Sequence, residues 1–367
     1  MKPILKWFEN MPGWSFNFVA NRLVKILGEK YDVDRVYSIA DDFRIGIHKP
    51  ADVILCQNIN NVQAFEEDQK EKVISRIGGS RVLDNDPHRY DTVFQSIFAV
   101  FATNKELYKI GKRKCKRTYI VPNGADLDLF KSAKNKKARD FTIGFAANLA
   151  YPDSPRYKGA PIILEIRDKM GIKLKTAFWG QNQIPNEEMP REFYHKIDCL
   201  ISMSENEGCS NVIMEALSCG VPVILTKVGY HGDFLTNKVN CLFVKRNVEQ
   251  GIKAVKFLMD NPAKRKKIGR AGRRFAKKYH DIKKIAVKYD EIFVELLEER
   301  AKKKQEKLNP EIWKVEATEN IYEPGVGRKN PGDTFNLPLY RAKQMGSSIT
   351  LLNREVKGES EVKNLYV

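Results

Sequence analysis

The stretch LISMSENEGCSNVIMEALSCGVPVI, residues 200–224, decides the fold class of this chain. It runs from an apolar segment through a polar loop into a helical pattern, and a Gly-Val-Pro turn then leads into a second apolar segment. A strand–helix–strand succession of this kind is the repeating unit of a parallel sheet covered by helices. Two glutamates stand eight positions apart in the stretch, Glu207 on the loop and Glu215 within the predicted helix.

The helix predicted after this loop begins near Ser210 and Asn211, and its N-terminus is a candidate binding site for diphosphate. Helix N-termini expose unpaired N–H groups and carry partial positive charge, which favours anions. Glu207 on the approach loop is placed to accept hydrogen bonds from sugar hydroxyls. Glu215, about 1.5 turns into the helix, is placed to reach the two hydroxyls of a ribose. The alternative is an acid near the helix start and an exposed helix glutamate, neither of which binds a ligand.

The same alternation of strands and helices occupies both halves of the chain. In the first half, strands are predicted over 4–8, 51–57, 80–84, 96–103 and 117–124, with an amphipathic helix from Ser15. After the charged segment KSAKNKKARD at 131–140, a predicted linker, strands follow over 141–147, 173–180, 198–204, 221–226 and 240–244. Helices over 160–171, 187–197, 210–220 and 248–260 separate them. Two Rossmann-like units joined in this way form a cleft at the carboxyl ends of both sheets, where ligands bind.

The composition indicates a globular protein with anionic partners. Apolar residues make up 42% and aromatic residues 10% of the 367 residues, which excludes a disordered chain. Lys and Arg number 64 against 46 Asp and Glu, so the net charge is +18. This excess favours nucleotides, nucleic acid or acidic lipid headgroups as partners, and a solvated lysine-rich surface is the alternative.

Cysteine usage and hydropathy predict a cytoplasmic protein. The six cysteines show no CxxC and no His-paired spacing, so buried free thiols are expected rather than a zinc site or a disulfide framework. The N-terminus lacks the apolar core of a signal peptide, and no apolar run approaches the about 20 residues that span a bilayer. We therefore expect a soluble chain, or at most peripheral contact with the membrane.

The segment EG…NVIMEALSCGVPVI resembles the E-x7-E signature of the retaining, GT-B-fold glycosyltransferases of family 4. Three other segments follow in the family's order: IVPNGADLDLF at 120–130, IGFAANLAYPDSPRYKG at 143–159 and TKVGYHGDFLTNKVNCLFV at 226–244. The resemblance is specific over about 117–300, weak over 1–116 and absent from the tail.

The resemblance implies an α/β protein of the GT-B fold, in which two Rossmann-like domains face a central cleft and a C-terminal helical and irregular extension follows. The expected boundaries are an acceptor-side domain over 1–135 and a nucleotide-sugar-binding domain over 136–285. Residues 286–367 then form a helix that crosses back to the first domain and a tail of unknown role.

The resemblance also implies roles for residues on the donor side. Lys158 matches the lysine that holds the donor diphosphate, and a compact ammonium group suits a leaving group that gains charge. Asn148 stands where the family has an arginine, and Arg156 in the same loop is the substitute. Glu207 matches the residue that orients the transferred sugar, and Glu215 matches the one that binds the ribose.

Other candidate site residues lie in the first half of the chain and in the segment 226–244. Gly13 matches weakly the glycine loop before the first helix, where the backbone approaches phosphate. Asp84, Asp86 and His88 crowd one loop, where they orient the acceptor hydroxyl or accept its proton, and an Asx turn is the alternative. His231, at a predicted helix start, is a candidate contact for phosphate or sugar.

The activity implied is transfer of a sugar from a UDP- or GDP-sugar with retention at the anomeric carbon, the leaving phosphate assisting. No tightly bound cofactor is expected, and metal independence is expected too, because Lys158, a nearby arginine and helix N-termini should stabilise the departing diphosphate. The leading acceptor is a cell-envelope glycan or glycolipid, reached by an enzyme that touches an acidic membrane.

The alternative acceptor is DNA carrying hydroxymethylated bases, which an enzyme reaches by extruding the base from the duplex. Such an enzyme would be phage-encoded and would work in the infected host cell. A non-catalytic nucleic-acid-binding protein with a degenerate GT-B fold is the competing class. A phosphorylase or an epimerase of the same architecture is a third reading.

Overall fold

The computed structural model describes residues 1–9, 15–37, 50–78, 88, 90–133, 140–308, 312–324, 326–345 and 349–355. These residues form two compact units, Met1–Phe293 and Val294–Val367. The predicted strand at 80–84, together with Gly13, Asp84 and Asp86, lies outside the described residues, and so does most of the predicted linker.

The first sheet of the first unit contains, among the described residues, six parallel strands in the order β2-β1-β3-β4-β5-β6. Its strands are β1 Ile4–Glu9, β2 Asp32–Tyr37, β3 Val53–Cys56, β4 Val73–Ile77, β5 Ala99–Ala102 and β6 Thr118–Ile120. The helices around it are α1 Ser15–Leu27, a 3-10 turn Ile59–Ala64, α2 Glu67–Lys70, α3 Asp91–Ser96 and α4 Lys105–Lys112. Strands β3 and β5 are buried along their whole length, as expected of parallel strands covered on both faces.

The second sheet of this unit contains five described strands in the order β11-β10-β9-β7-β8, again parallel. Its strands are β7 Thr142–Asn148, β8 Lys173–Trp179, β9 Cys199–Ser202, β10 Val223–Leu225 and β11 Leu242–Phe243. The surrounding helices are α5 Ser154–Lys158, α6 Ala160–Met170, α7 Met189–Glu192, α8 Asn211–Ser218, α9 Gly229–Phe234, α10 Val248–Asp260 and α11 Pro262–Tyr279. We call the described residues from β1 through Ala125 the first lobe and those from β7 through α11 the second lobe.

After the second lobe the chain returns to the first. The backbone N–H of Ala125 donates to the carbonyl of His280 at 2.6 Å, and that of Ile282 donates to the carbonyl of Ala125 at 3.0 Å. Helix α12, Ile282–Leu308, then places Tyr289 flat against Trp7, with ring centroids 6.0 Å apart. Its beginning therefore covers the first sheet.

The second unit has a small core of its own. Strands β12 Ile312–Ala317, β15 Thr334–Pro338 and β16 Ile349–Glu355 form an antiparallel sheet in the order β15-β12-β16. Strands β13 Ile321–Glu323 and β14 Gly327–Lys329 form a hairpin, and α13 spans Leu339–Met345. Val315, Phe335 and Leu337 are buried in this core.

Three elements of the first unit differ from prediction. The predicted helix over 187–197 is wrong: α7 ends at Glu192, and a 3-10 turn Tyr194–Lys196 follows. Phe193 between them leaves the helical region at φ −126° and ψ −67°, which interrupts the helix. Strands β2 and β4 were not predicted. β2 lies at the sheet edge and carries mostly half-buried charged residues, so it lacks the apolar run of a central strand.

Candidate active site

Two adjoining cavities lie in the first unit where β7 ends and α8 begins, and both are lined by Ala146, Ala147, Asn148, Asn211 and Val212. The larger, of about 290 Å³, is polar and draws residues from both lobes; these include Arg76, Asn123, Lys158, Ser204 and Glu207. The smaller, of about 150 Å³, is mainly apolar and is lined by Phe18, Phe178, Trp179 and Ile184, with Asn186 and Glu215. We call them the polar cavity and the apolar cavity. Their position at the carboxyl ends of parallel strands is where ligands bind in this architecture.

Glu207 and Lys158 form an ion pair in the polar cavity. Lys158 Nζ lies 2.6 Å from Glu207 Oε1, and Ser204 Oγ donates to the same oxygen at 2.8 Å. The Glu207 side chain is 14% exposed and that of Lys158 is 32% exposed. Both partners of the hydrogen bond between Lys158 and Glu207 are charged, which strengthens the bond and holds the Glu207 carboxylate in the polar cavity. The two residues therefore meet although they are 49 positions apart.

The turn at Lys158-Gly159 explains how the lysine reaches this position. Gly159 adopts φ +76° between α5 and α6, a left-handed conformation that favours glycine. A Cβ at Gly159 would lie 2.5 Å from the carbonyl oxygen of Met203, so only glycine allows this close approach. Arg246 Nε also donates to that carbonyl, at 2.9 Å. The turn is thereby packed against the end of β9, next to the loop that carries Glu207.

Glu215 lies beside the apolar cavity and is buried, with 8% of its surface exposed. Tyr194 Oη donates to its Oε2 at 2.7 Å, and Asn186 Nδ2 donates to its Oε1 at 3.3 Å. Burial raises the pKa of Glu215 to about 7, although the two hydrogen bonds and the charge of Arg22 lower it. The alternative of an exposed helix glutamate is therefore wrong, and a ligand role for Glu215 stays a prediction.

The N-terminus of α8 borders both cavities. Ser210 is its N-cap residue, and the side chain of Ser210 makes no capping hydrogen bond. Asn211 Oδ1 accepts from Asn123 Nδ2 of the first lobe at 2.6 Å. Asn148, at the end of β7, accepts from the backbone of Ala150 at 2.9 Å. Polar groups from three segments thus converge where the sequence predicts a diphosphate.

Other residues predicted for the site lie elsewhere or are not described. The Arg156 side chain is 61% exposed and pairs with Glu205 at 3.6 Å. His88 is also exposed, and its Nδ1 lies 2.9 Å from Asp91 Oδ2. Gly13, Asp84 and Asp86 fall outside the described residues, so their roles stay predictions.

The predicted contact of His231 with phosphate or sugar is wrong. The side chain is buried in α9, where its ring lies 5.6 Å from that of Tyr230 and 5.3 Å from that of His280. Burial lowers the pKa of His231 well below its ordinary value, so the ring is neutral. His231 is a packing residue.

Arg76 and Asn123 bring the first lobe into the polar cavity, and neither was predicted as a site residue from the sequence. Arg76, near the end of β4, is buried, donates to Tyr289 Oη at 3.0 Å and also bonds Asn123 Oδ1. Asn123 Nδ2 donates in turn to the carbonyl of Cys209 at 2.8 Å. A signal was available for Arg76, since a charge inside the apolar run VISRI is rare unless it is paired or functional.

The loop that carries Glu207 is held from both lobes. Tyr230 N donates to the carbonyl of Gly208 at 2.7 Å from the second lobe. Asn104 Nδ2 of the first lobe reaches the carbonyl of Glu207 at 3.5 Å. A Cβ at Gly208 would overlap the carbonyl oxygen of Gly78, so the lobes approach closely at this point because residue 208 has no side chain.

The described residues form neither a cluster of metal-ligating side chains nor a membrane-spanning helix. Within the described ranges, no group of three or more His, Cys, Asp or Glu side chains comes together as a metal site. None of the helices in that part of the chain is long and apolar enough to cross a membrane. All six cysteines are described and buried, as predicted, and no disulfide joins any two of them.

Comparison with known sequences matches the second lobe. The family described as glycosyl transferases group 1 matches residues 166–275. A curated uncharacterized glycosyltransferase of Methanocaldococcus jannaschii is 33% identical over 88 residues. That match covers 24% of this chain and spans only 25% of the relative's own length.

Comparison with solved structures matches most of the chain. Sucrose-phosphate synthase from Thermosynechococcus elongatus has a TM-score of 0.69 at 13% identity and covers 80% of this chain and 99% of its own. Anabaena HepE in complex with UDP has a TM-score of 0.63 at 13% identity, with coverage of 80% and 100%. A glycosyltransferase from Rickettsia africae has a TM-score of 0.60 at 14% identity, with coverage of 81% and 99%. The likeness confirms the predicted GT-B fold, and with the family match it supports a glycosyltransferase.

Proposed function

We propose that this chain is a retaining, metal-independent glycosyltransferase that moves a sugar from a nucleotide diphosphate to an anionic acceptor. The observation that carries the proposal is the Lys158–Glu207 pair beside the N-terminus of α8, next to a separate cavity that ends at Glu215. A nucleotide sugar has the same layout, with an apolar base and a ribose at one end and a diphosphate and a sugar at the other. Family 4 membership, predicted from the E-x7-E motif, is part of the proposal.

The apolar cavity suits the nucleoside. Phe178, Trp179 and Ile184 offer flat apolar surface to a base. A carboxylate has about four lone-pair sites, and Tyr194 and Asn186 occupy only two of those on Glu215. The remaining sites accept the two ribose hydroxyls. UDP is the expected nucleotide, since the Anabaena neighbour was solved with UDP and with UDP-glucose, and GDP is the alternative.

The polar cavity suits the diphosphate and the sugar. The start of α8 at Ser210 and Asn211, where a helix N-terminus favours anions, and the ammonium group of Lys158 line this cavity and face the diphosphate. When the bond between the anomeric carbon and the diphosphate oxygen breaks, the leaving group gains negative charge, which these groups stabilise. Lys158 then shifts from Glu207 to the phosphate, and Glu207 accepts hydrogen bonds from the sugar. Asn148 takes the position of the arginine common in the family.

The acceptor hydroxyl attacks the anomeric carbon from the face that the diphosphate leaves. Its proton passes to the departing phosphate oxygen, so the products are the new glycoside and the nucleoside diphosphate. Asp84, Asp86 and His88 are the proposed residues for orienting that hydroxyl. Because attack and departure share one face, the anomeric configuration is retained.

The proposed acceptor is an anionic cell-envelope glycan or glycolipid, in keeping with the net charge of +18. DNA carrying hydroxymethylated bases is the second candidate, and α11 favours it. This helix carries nine Lys and Arg and no Asp or Glu. Arg265 and Arg273 bond backbone carbonyls within the second lobe or its flanking segment. The other seven are exposed: Lys264, Lys266, Lys267, Arg270, Arg274, Lys277 and Lys278.

The test of the activity is release of nucleoside diphosphate from a panel of UDP- and GDP-sugars by the purified protein. Wild type is expected to hydrolyse or transfer at least one donor. Glu207→Ala should reduce kcat by roughly 100-fold with little change in KM, because Glu207 orients the sugar as the anomeric bond breaks. Glu205→Ala, an exposed neighbour on the same loop, is the control.

Full activity in Glu207→Ala, or no turnover of any donor by wild type, would leave the proposal without support. The second result would favour the non-catalytic reading. The configuration of the product, read from anomeric NMR couplings, tests retention separately. An inverted product would remove the retaining mechanism but not the transferase activity.

Binding and transfer assays in the same buffer distinguish the two candidate acceptors. If DNA is the acceptor, duplex binding should weaken log-linearly with salt, because phosphate contacts release condensed counterions. Reversing the charge of Lys267, Arg270 and Arg274 together should reduce that slope. Tight binding to anionic vesicles without DNA retention at low salt would exclude the DNA candidate. Sugar transfer onto hydroxymethylated DNA is needed to establish it.

A further inference from the structure

A hydrogen-bonded chain of side chains links the first lobe to Glu215. Arg22 lies on α1, and its Nη2 donates to Asn186 Oδ1 at 2.9 Å. Asn186 lies on the loop that follows β8, and its Nδ2 donates to Glu215 Oε1 at 3.3 Å. Asn186 and Glu215 are both buried, so the contact is shielded from solvent. Arg22 therefore acts on a candidate ligand residue 193 positions away through one intervening amide.

The guanidinium group of Arg22 is held in place by other contacts. Its Nη1 donates to the carbonyl of Phe18, one turn earlier on α1, at 3.1 Å. Its Nε lies 3.5 Å from Asp126 Oδ2, and the group stands over the ring of Phe130 at 5.9 Å. The Arg22 side chain is only 18% exposed. These contacts fix which way the Nη2 hydrogen atoms point.

The direction of the Arg22 bond decides the orientation of the Asn186 amide. An asparagine side chain has one accepting end and one donating end. Since Arg22 can only donate, it holds Oδ1 toward itself and leaves Nδ2 toward Glu215. The reversed amide would place Oδ1 against the Glu215 carboxylate, where two acceptors repel, and would leave a buried donor unpaired.

We propose that Arg22 is a positioning residue that, through Asn186, holds the Glu215 carboxylate in the orientation that accepts the ribose hydroxyls of the donor. The inference rests on the proposed function, because it takes Glu215 as the ribose ligand. It adds that donor affinity depends on a residue of the first lobe, although Glu215 and most of the apolar cavity belong to the second.

The charge of Arg22 adds to its effect on geometry. Burial raises the pKa of Glu215 to about 7, and the positive charge of Arg22 is one of the groups that oppose this rise. The other groups facing the carboxyl are Tyr194 and Asn186. Arg22 itself is flanked by Asp126, at 3.5 Å, and by the exposed Glu187, at 3.9 Å. Without Arg22, a smaller fraction of Glu215 is ionised at pH 7, and a protonated carboxyl group offers fewer acceptor sites.

The experiment measures UDP affinity by isothermal titration calorimetry from pH 6 to pH 9, with GDP as the probe if wild type binds it more tightly. Arg22→Met should weaken binding roughly tenfold at pH 7, as expected for loss of a hydrogen bond from a charged group. The defect should shrink toward pH 9, where Glu215 is ionised even with a higher pKa. Lys25→Met removes the same charge from an exposed position of the same helix and should leave the pH profile unchanged.

A double-mutant cycle with Glu215→Gln tests whether Arg22 acts through Glu215. Arg22→Met should cost much less affinity in the Glu215→Gln background than in wild type. An equal, pH-independent loss in both backgrounds would show that Arg22 supports the fold only, and would overturn the inference. If Glu215→Gln alone leaves UDP affinity unchanged, the ribose assignment fails instead, and that outcome counts against the proposed function. Thermal unfolding of each variant identifies any that has simply lost its fold.

Discussion

Replacing Glu215 by glutamine should change how the stability of this protein depends on pH, and the burial of the carboxyl group sets the size of the change. The pKa of Glu215 rises from its ordinary value of 4.5 to about 7 because burial penalises the charged form. The folded state therefore binds the proton more tightly than the unfolded state does. The contribution of this group to stability is complete below pH 4.5 and is lost as the pH rises through 7.

At about 1.4 kcal/mol per pH unit, this rise in the pKa corresponds to about 3 kcal/mol of stability lost by pH 8. Glutamine has the same shape and does not titrate. The stability of Glu215→Gln relative to wild type should therefore increase by about 3 kcal/mol between pH 4.5 and pH 8. Any fixed loss from altered bonds with Tyr194 and Asn186 is present at both pH values and cancels in this comparison.

Thermal unfolding followed by circular dichroism at several pH values between 4.5 and 8 measures this difference. An effect of this size shifts the melting temperature of one lobe by several degrees. Glu249→Gln, the same exchange at an exposed position on α10, is the control and should show no such trend. If Glu215→Gln and Glu249→Gln follow the same pH dependence, the carboxyl group of Glu215 does not titrate as its burial implies, and the reasoning is refuted.

Three further substitutions have expected results. Lys158→Ala should weaken UDP binding roughly tenfold or more in calorimetry, because it removes a cation from the polar cavity. Arg156→Ala should weaken binding less, since that side chain is exposed. A larger loss of affinity in Arg156→Ala than in Lys158→Ala would assign the diphosphate to Arg156. Gly208→Ala should reduce turnover strongly, because the added methyl group overlaps the carbonyl oxygen of Gly78 and separates the lobes at the sugar site. If the kcat of Gly208→Ala equals that of wild type, this close contact is not needed for turnover.

Much of the fold followed from local patterns. Apolar runs bounded by turn residues predicted strands such as β3, β5, β9 and β10, and helical spacing predicted α1, α6 and α10. These patterns are visible in the sequence because a strand buried on both faces and an amphipathic helix each repeat over a few residues. The same locality explains the missed edge strand β2 and the wrong helix at 187–197, where edge position and the backbone of Phe193 overrode the pattern.

The residues of the candidate site also divide into those that the sequence predicted and those that only the structure revealed. The sequence by itself predicted Glu207 and the N-terminus of α8 from a local motif, and Lys158 from the resemblance to a family; their roles stay predictions. Only the tertiary structure decided that Glu215 is buried and that His231 packs in the interior.

Only the tertiary structure, too, placed Arg76 in the polar cavity and bonded Arg22 to Asn186, which lines the apolar cavity. Arg22 and Asn186 are 164 positions apart, and no local pattern records that they meet. Burial, pKa and long-range hydrogen bonds depend on which distant segments fill the space around a side chain. The packing of the two lobes fixes that arrangement, whereas the spacing of residues along the chain does not.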